Sequence, residues 1–360
     1  MKNKLTLLID GNWLLMSRMS VLIKGFDKNN PDIAKQQTSN ELKELMARSI
    51  NVMLNRFKEI DNIVFISDGG SWRKQIPIPK SLKDTTYKGN RGQAIELDWD
   101  YIYNAFNDIF NQSKELGITC SRHYNCEGDD WVWYWSRRLN ADGIHCLIWS
   151  SDNDLKQLVQ VDQSTQAFTI WYNDKAGLWL PSEMDKPFDE FDFFMKADYI
   201  SPVLESIKKK MKKYSFINPN EIILNKILCG DSGDNIKAVV RYTKNNRTYN
   251  FAQKDFEKLV NDLEIKTIQD LRSSLSQIAH YICNMKKYKP YGFNEDDVIE
   301  MLEYNTKLVW LHEEVLPNTA ISSMVQDEYQ LYDLSYIRDN FKILIGEDDE
   351  IKNLFDSINI

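Results

Sequence analysis

Carboxylates collect at the ends of apolar runs in this sequence. The run 5–9 closes on Asp10-Gly-Asn, and the run 63–66 closes on Asp68 and two glycines. A third run, 145–149, is followed by Asp152 and Asp154, and just upstream Glu127, Asp129 and Asp130 open an aromatic-rich segment. Short apolar runs bounded by turn residues read as buried strands. Ligand sites of open α/β sheets form at the carboxyl ends of their strands, so these acids are expected at one edge of one sheet. Gathered carboxylates repel and raise one another's pKa unless a cation joins them. Hard oxygen donors with few nearby His or Cys suit Mg²⁺ or Mn²⁺. A plainer alternative is open at this point: Glu127 and Asp129 favour a helix N-terminus, and Asp152 is a cap.

The elements that would position these acids follow from periodicity. Strands are expected at 5–9, 63–66, 118–120 and 145–149. Helices are expected over 39–60, with Ser39 as its cap, over 98–116, and from Glu127 to the turn at 140–143. Residues 25–39 read as a loop with Asn-Asn-Pro punctuation. Segments 168–172 and 178–180 flank Asn173-Asp174 as a hairpin. Pro219 opens a helix to about 228, which leads into Gly230-Asp231-Ser232-Gly233-Asp234-Asn235, two acids three apart among small residues. Beyond it RYTKNNRTYN is basic and polar, and the chain to about 315 is mostly helical. The fold class is α/β: an α/β domain over 1–200 and a mainly helical domain over 201–360.

Composition sets bounds. In 360 residues, 42% hydrophobic content supports a packed core and 27% charge suits an aqueous surface. No apolar run is long enough to span a membrane, and the N-terminal run stops at Asp10, too early for a secretion signal, so no membrane partner and a cytoplasmic setting are expected. Five cysteines, an odd number, argue for free thiols. Cys120, His123 and Cys126 fit no common zinc spacing. A net charge of −8 does not advertise a nucleic-acid binder, but clustered positive charge would permit one. Such a cluster spans 71–97, where Arg73, Lys74, Lys80, Lys83, Lys88 and Arg91 surround Tyr87. Basic residues interleaved with an aromatic can track a backbone and stack on bases; an ordinary solvated loop is the alternative.

Six ordered motifs carry a resemblance: IDGN at Asp10, SDGG at Asp68, YKGNR at Tyr87–Arg91, EGDD at Glu127, SSDNDLKQLV from Ser150 and GDSGDNI from Gly230. Together they resemble the flap endonuclease and 5′-nuclease family, nearest in appearance to its T-even phage ribonuclease H branch, to which 305–324 is also similar. The resemblance implies a PIN-like 5′-nuclease domain with a central, mostly parallel sheet flanked by helices, plus a helical C-terminal domain. In that family's pattern Asp10, Asp68, Glu127, Asp129 and Asp130 match a first metal region. Asp152, Asp154, Asp231 and Asp234 match acids of a second, so GDSGDN at 230–235 would contribute to the active site. Lys88 and Arg91 match contacts to the scissile phosphate, with Asp129 and Asp152 as the acids most directly engaged in catalysis. Tyr87 matches a stacking aromatic, and residues 80–125 an arch over the site.

The implied chemistry is phosphodiester hydrolysis with two Mg²⁺ ions, Mn²⁺ substituting. The implied substrates are DNA and RNA–DNA hybrid with a free 5′ end or a flap. The glycine-rich helical hairpin that often follows GDxSDN is missing, which makes Arg241, Lys244 and Arg247 candidate phosphate contacts beside Arg73 and Lys83. Two alternatives are a PIN-type ribonuclease acting on RNA and a catalytically inactive nucleic-acid-binding relative. A monomer is expected. After the acidic stretch 346–350, Ile351, Leu354, Phe355 and Ile358 share one helical face. This tail either packs on its own domain or hooks a sliding clamp or single-strand-binding protein.

Overall fold

The computed structural model describes residues 4–22, 31–82, 87–89, 99–115, 117–182, 202–211 and 213–326, the stretch 31–40 by its backbone alone. Strands β1 (Leu5–Asp10), β2 (Ile60–Ile66), β3 (Thr119–Ser121), β4 (His145–Trp149), β5 (Gln160–Val161), β6 (Phe168–Asn173), β7 (Gly177–Pro181) and β8 (Tyr214–Ile217) form one eight-stranded sheet. Its order is β3-β2-β1-β4-β6-β7-β8, with β5 paired to β6. All neighbours run parallel except β6 with β7 and β5 with β6. A parallel sheet buried on both faces needs apolar residues on both sides of each strand. In β1, Leu5, Leu7 and Ile9 enter one core and Leu8 the other; in β2, Ile63 and Phe65 oppose Val64 and Ile66.

Helices α1 (Gly11–Leu22), α2 (Pro31–Arg56), α3 (Trp99–Glu115) and α5 (Pro202–Lys210) cover the first face, and α4 (Gly128–Ala141) the second. A third core forms from α6 (Pro219–Cys229), α7 (Gln253–Asp262), α8 (Ile268–Ser273), α9 (Leu275–Asn284) and α10 (Glu295–Val309). The chain from Leu311 through α11 (Asn318–Gln326) returns to the core beside α4. No described helix is long and apolar enough to cross a membrane.

Three local expectations are corrected. Helix α2 begins at Pro31, not Ser39; proline's fixed φ suits the first helical position, so the punctuation marks a start rather than a loop. The sheet does not stop near residue 200, because β8 pairs with β7. The stretch after Trp99 belongs to the body rather than to an arch: α3 buries Ile102, Ala105, Phe106 and Phe110, and β3 pairs with β2. RYTKNNRTYN, left unassigned by periodicity, is a two-stranded hairpin of β9 (Arg241–Lys244) and β10 (Arg247–Asn250).

Candidate active site

Asp10 is the last residue of β1 and immediately precedes α1. Its Oδ1 accepts from Trp13 N at 2.9 Å, which caps the helix, and its Oδ2 accepts from Ser150 Oγ at 2.6 Å, just past β4. Ser150 Oγ also accepts from Asp152 N at 2.9 Å, and Asp152 Oδ1 from Asp154 N at 2.8 Å. The turn after β4 is thus tied to the end of β1. Asp68, past β2, accepts from Gly128 N at 2.5 Å and Asn12 Nδ2 at 3.0 Å. A side chain at 128 would put its Cβ 2.9 Å from Asp68 Oδ1, so glycine there lets the start of α4 close on Asp68. Asp231 follows α6 across Gly230, whose φ of +77° and surrounding backbone leave no room for a Cβ.

These elements enclose a cleft lined by Asp10, Asp68, Glu127, Asp129, Asp152, Asp154 and Asp231, with Lys88 and Lys226 as its lysines. Trp13, Trp99 and Tyr103 form an aromatic wall. At about 1160 Å³ the cleft exceeds an ordinary small-molecule pocket, which favours a polymer over a metabolite.

The acids fall into two electrostatic classes. Burial pushes Asp10 up to about 7, against its hydrogen bonds, with Asp68 and Asp152 adding repulsion. Burial, then Asp152, raises Asp129 well above the carboxylate range. Asp68 is raised by burial, and Asp154 is pushed up to about 6 by burial and Asp152. No ion pair to Asp10, Asp68 or Asp129 forms among the described residues. Glu127 behaves oppositely. Burial opposes its ionisation, but Arg73 at 2.8 Å and Lys88 at 2.5 Å outweigh it and lower its pKa.

Several expected site residues stand elsewhere or do other work. Arg73, expected on nucleic acid, is only 2% exposed. It bridges Glu127 Oε2 and Asp130 Oδ1, each at 2.8 Å, and donates through Nε to Leu308 O at 3.1 Å. Asp130, expected as a metal ligand, is saturated by Arg73, Trp72 Nε1 at 3.2 Å and Glu127 N at 3.0 Å. It accepts from the Glu127 amide at the start of α4 and is not among the cleft-lining residues, a helix-start role that the sequence suggested for Glu127 and Asp129 instead. Tyr87 is buried, its hydroxyl donating to Glu127 Oε2 at 3.2 Å and Asp234 Oδ2 at 3.3 Å, and its ring lies in the helical core rather than open for stacking. Asp234 faces Tyr87 and Lys88 and is not among the cleft-lining residues. Lys83 and Arg91 lie outside the described residues. Arg241, Lys244 and Arg247 are exposed on the hairpin.

Sequence reading missed Lys226 and the second sphere. Lys226 pairs with both Asp154 and Asp231, the latter at 2.5 Å. Its position five residues before Asp231, in the last turn of α6, was the available signal. Asn12, which accepts from Asp68 N at 3.0 Å while donating to its carboxylate, was visible in IDGN but had no assigned role.

Among the described residues, no three of these side chains converge closely enough to form a ready ligand cage. Lys226 occupies the Asp154–Asp231 side. The donor chemistry nonetheless fits a divalent cation: hard carboxylate oxygens, those of Asp10, Asp68 and Asp129 without an ion-pair partner among the described residues.

No protein-family model matches the chain, and no curated protein matches it. Solved structures do. The D15 protein of bacteriophage T5 co-crystallised with metal ions shares 15% identity over 94% of this chain and 98% of its own, with a TM-score of 0.54. T5 5′-exonuclease with divalent zinc bound shares 15% over 90% and 97%, TM-score 0.54. The T5 D15 flap endonuclease in a pseudo-enzyme–product complex with DNA and metal ions shares 16% over 94% and 98%, TM-score 0.53. At these identities the likeness is one of fold, and the chain has the PIN-like fold of these 5′ nucleases.

Proposed function

We propose that this protein is a divalent-metal-dependent 5′ nuclease, a 5′–3′ exonuclease and flap endonuclease that removes RNA primers or 5′ flaps during DNA replication. The observation that carries this reading is that seven carboxylates line one polymer-sized cleft at the carboxyl edge of the parallel sheet. The metal-bound, DNA-bound T5 proteins of the same fold support it. Asp10, Asp68 and Asp129 would hold one Mg²⁺, with Glu127 beside them neutralised by Arg73 and Lys88, and Asp152, Asp154 and Asp231 a second, with Mn²⁺ as a substitute. Such a pair supplies a water nucleophile of lowered pKa and neutralises charge at the leaving oxygen.

The chain's own residues do the rest. Ser150 and Asn12 fix the carboxylates of Asp10 and Asp68 through the bonds described above. Lys88, held at the cleft by Glu127, places an ammonium where a phosphate oxygen arrives. Arg91 would add a second cation. Lys226, paired with Asp154 and Asp231 at the cleft, would add a further cation for substrate phosphate. The protein would act as a monomer in the cytoplasm, the host's if phage-encoded, on DNA or RNA–DNA hybrid with a free 5′ end.

A 5′-labelled flap, a nicked RNA–DNA hybrid and single-stranded RNA, each with Mg²⁺ and with chelator, test the reading. Metal-dependent release of short 5′ products from the first two is expected. Cleavage of single-stranded RNA alone would favour a PIN-type ribonuclease, and binding without cleavage an inactive relative. The tail is tested separately by deleting 351–360. A clamp or single-strand-binding-protein hook predicts an unchanged melt and an unchanged flap rate, with stimulation by that partner lost. A melting point several degrees lower would show the tail to be core.

A further inference from the structure

The hairpin β9–β10 carries a surface that the cleft does not explain. Its turn, Asn245-Asn246, has φ of 51° and 59°, the left-handed pair a two-residue hairpin requires. Lys244 pairs across the ladder with Arg247, and Tyr242 with Tyr249. Directly opposed residues share a face, so two cations and two tyrosines stand on one side of the ribbon. Like charges directly opposite destabilise a ladder, and here no acid relieves them. Residues 237–250 contain no Asp or Glu. Arg241, Lys244 and Arg247 are exposed and form no ion pair among the described residues.

A second basic segment meets the hairpin. Tyr291 lies 4.2 Å from Tyr242 and Tyr288 lies 6.0 Å from it. They bring up residues 285–294, which also lack acids and carry Lys286, Lys287 and Lys289. Asp255 neutralises Lys287 at 2.6 Å, but Lys286 and Lys289 are exposed. The denser basic run in α5 offers no such surface, because Lys210 pairs with Glu59 and Lys208 with Glu205.

The root of the hairpin is rigid and continuous with the cleft. Val239, Val240 and Phe251 are buried. Val239 N donates to Leu228 O at 3.1 Å, and Asn305 Nδ2 donates to Lys237 O at 2.8 Å. Ile236 N donates to Asp231 O at 2.7 Å, so the ribbon springs from the loop that delivers Asp231.

The tyrosines indicate which form of nucleic acid fits. Binding of single strands uses free aromatic faces on which bases stack. Here Tyr242 and Tyr249 stack on each other at 5.3 Å and 16°, and Tyr291 packs on Tyr242 at 32°. Tyr242 is packed between the other two rings, Tyr249 and Tyr291 remain 40% and 37% exposed, and the cations beside them carry the charge that the ribbon presents. A two-stranded ribbon is also narrow enough for the major groove of a duplex.

Building on the nuclease reading above, we propose that the hairpin, with Lys286 and Lys289, grips the phosphate backbone of double-helical nucleic acid beside the cleft.

The test uses full-length protein in chelator, so that binding is read without cleavage. Anisotropy is followed against salt for a short blunt duplex and for a single strand of the same length. Each phosphate contact contributes about 0.9 to the slope of log K against log salt, so Lys244→Ala with Arg247→Ala should lower the duplex slope by about 1.8. The melting temperature should not change, the single-strand slope should fall less, and a Lys209→Ala control in α5 should leave the duplex slope alone. An unchanged duplex slope in the double variant, or an equal fall for both ligands, overturns the proposal. The same preparation is then given a flap and Mg²⁺. Duplex binding through the hairpin without cleavage defeats the nuclease reading alone, whereas cleavage with an unchanged slope defeats the hairpin alone.

Discussion

Asp129 and Asp130 are neighbours in the first turn of one helix, and the fold treats them as opposites. Asp130 turns into the body, where Arg73 takes both its oxygens and Trp72 and the Glu127 amide complete the set. Asp129 turns into the cleft, half-buried, beside Asp10 and Asp152, with no ion pair among the described residues. One acid holds structure together through a counter-ion the protein supplies. The other is held in a state that a cation from outside would relieve. A buried, unpaired carboxylate is costly enough to shift its own pKa and hold a proton instead, so keeping several in one place makes sense where a cation arrives from solution.

The sharpest way to break this contrast is to remove each charge in turn. Asp129→Asn and Asp152→Asn should each lower the cleavage rate by on the order of 10²–10³ or more. Melting in chelator should stay level or rise, since each change deletes a repulsive charge. A large loss of melting temperature in both would make Asp129 and Asp152 structural, like Asp130.

Arg73→Met tests the other half. It strands Asp130 and half of Glu127 in the interior, and breaking a buried pair from one side costs about 3–5 kcal/mol. Urea unfolding should show that loss even in chelator. A change under about 0.5 kcal/mol, the size expected of an unremarkable surface substitution, would show that Arg73 does not anchor the helix start.

Proton linkage sharpens the comparison. Asp10 is raised from 3.8 to about 7 and Asp154 to about 6, so between those values the folded protein holds protons that the unfolded chain has released. The contribution of these groups to stability is therefore full below about pH 4 and is lost as pH rises through about 6 to 7. In chelator, Asp10→Asn should flatten the pH dependence of melting across that window. With Mg²⁺ at pH 8, a cation at 100 times its dissociation constant should restore about 2.7 kcal/mol. A wild-type melt that rises steadily from pH 4 to 7 in chelator, with no change in slope in Asp10→Asn, would contradict the assignment.

The smallest effect is expected at Lys88, which belongs to both sides of the comparison because it pairs with Glu127 yet lines the cleft. Lys88→Ala should reduce kcat more than it raises the duplex Kd, since binding is spread over many phosphates while this ammonium acts where charge develops. Equal losses in the two would reduce Lys88 to a plain binding contact.

Much of this arrangement is local and was readable. A strand buried on both faces leaves an uninterrupted apolar run, so β4 falls on the expected 145–149. The acids Asp10, Asp68, Asp152 and Asp154 stand just past such runs, and a parallel sheet brings those ends together. The hairpin was harder to see: Asn-Asn is a weaker turn signal than Asn-Gly, and its flanking residues are too polar to show alternation.

The partners of charged groups were not readable at all. In sequence, Arg73 and Tyr87 belong to a basic, aromatic stretch and look like contacts for a polyanion. In the fold, Arg73 reaches Asp130, 57 positions away, and Leu308, 235 positions away, while Tyr87 is enclosed by the helical core. By itself the sequence determined which strands carry acids at their ends, because burial period and turn chemistry act within a few neighbouring residues. Which of those acids are neutralised from within and which are left facing the cleft was decided only by tertiary packing, because electrostatic energy depends on distance and desolvation, and neither is a property of position along the chain.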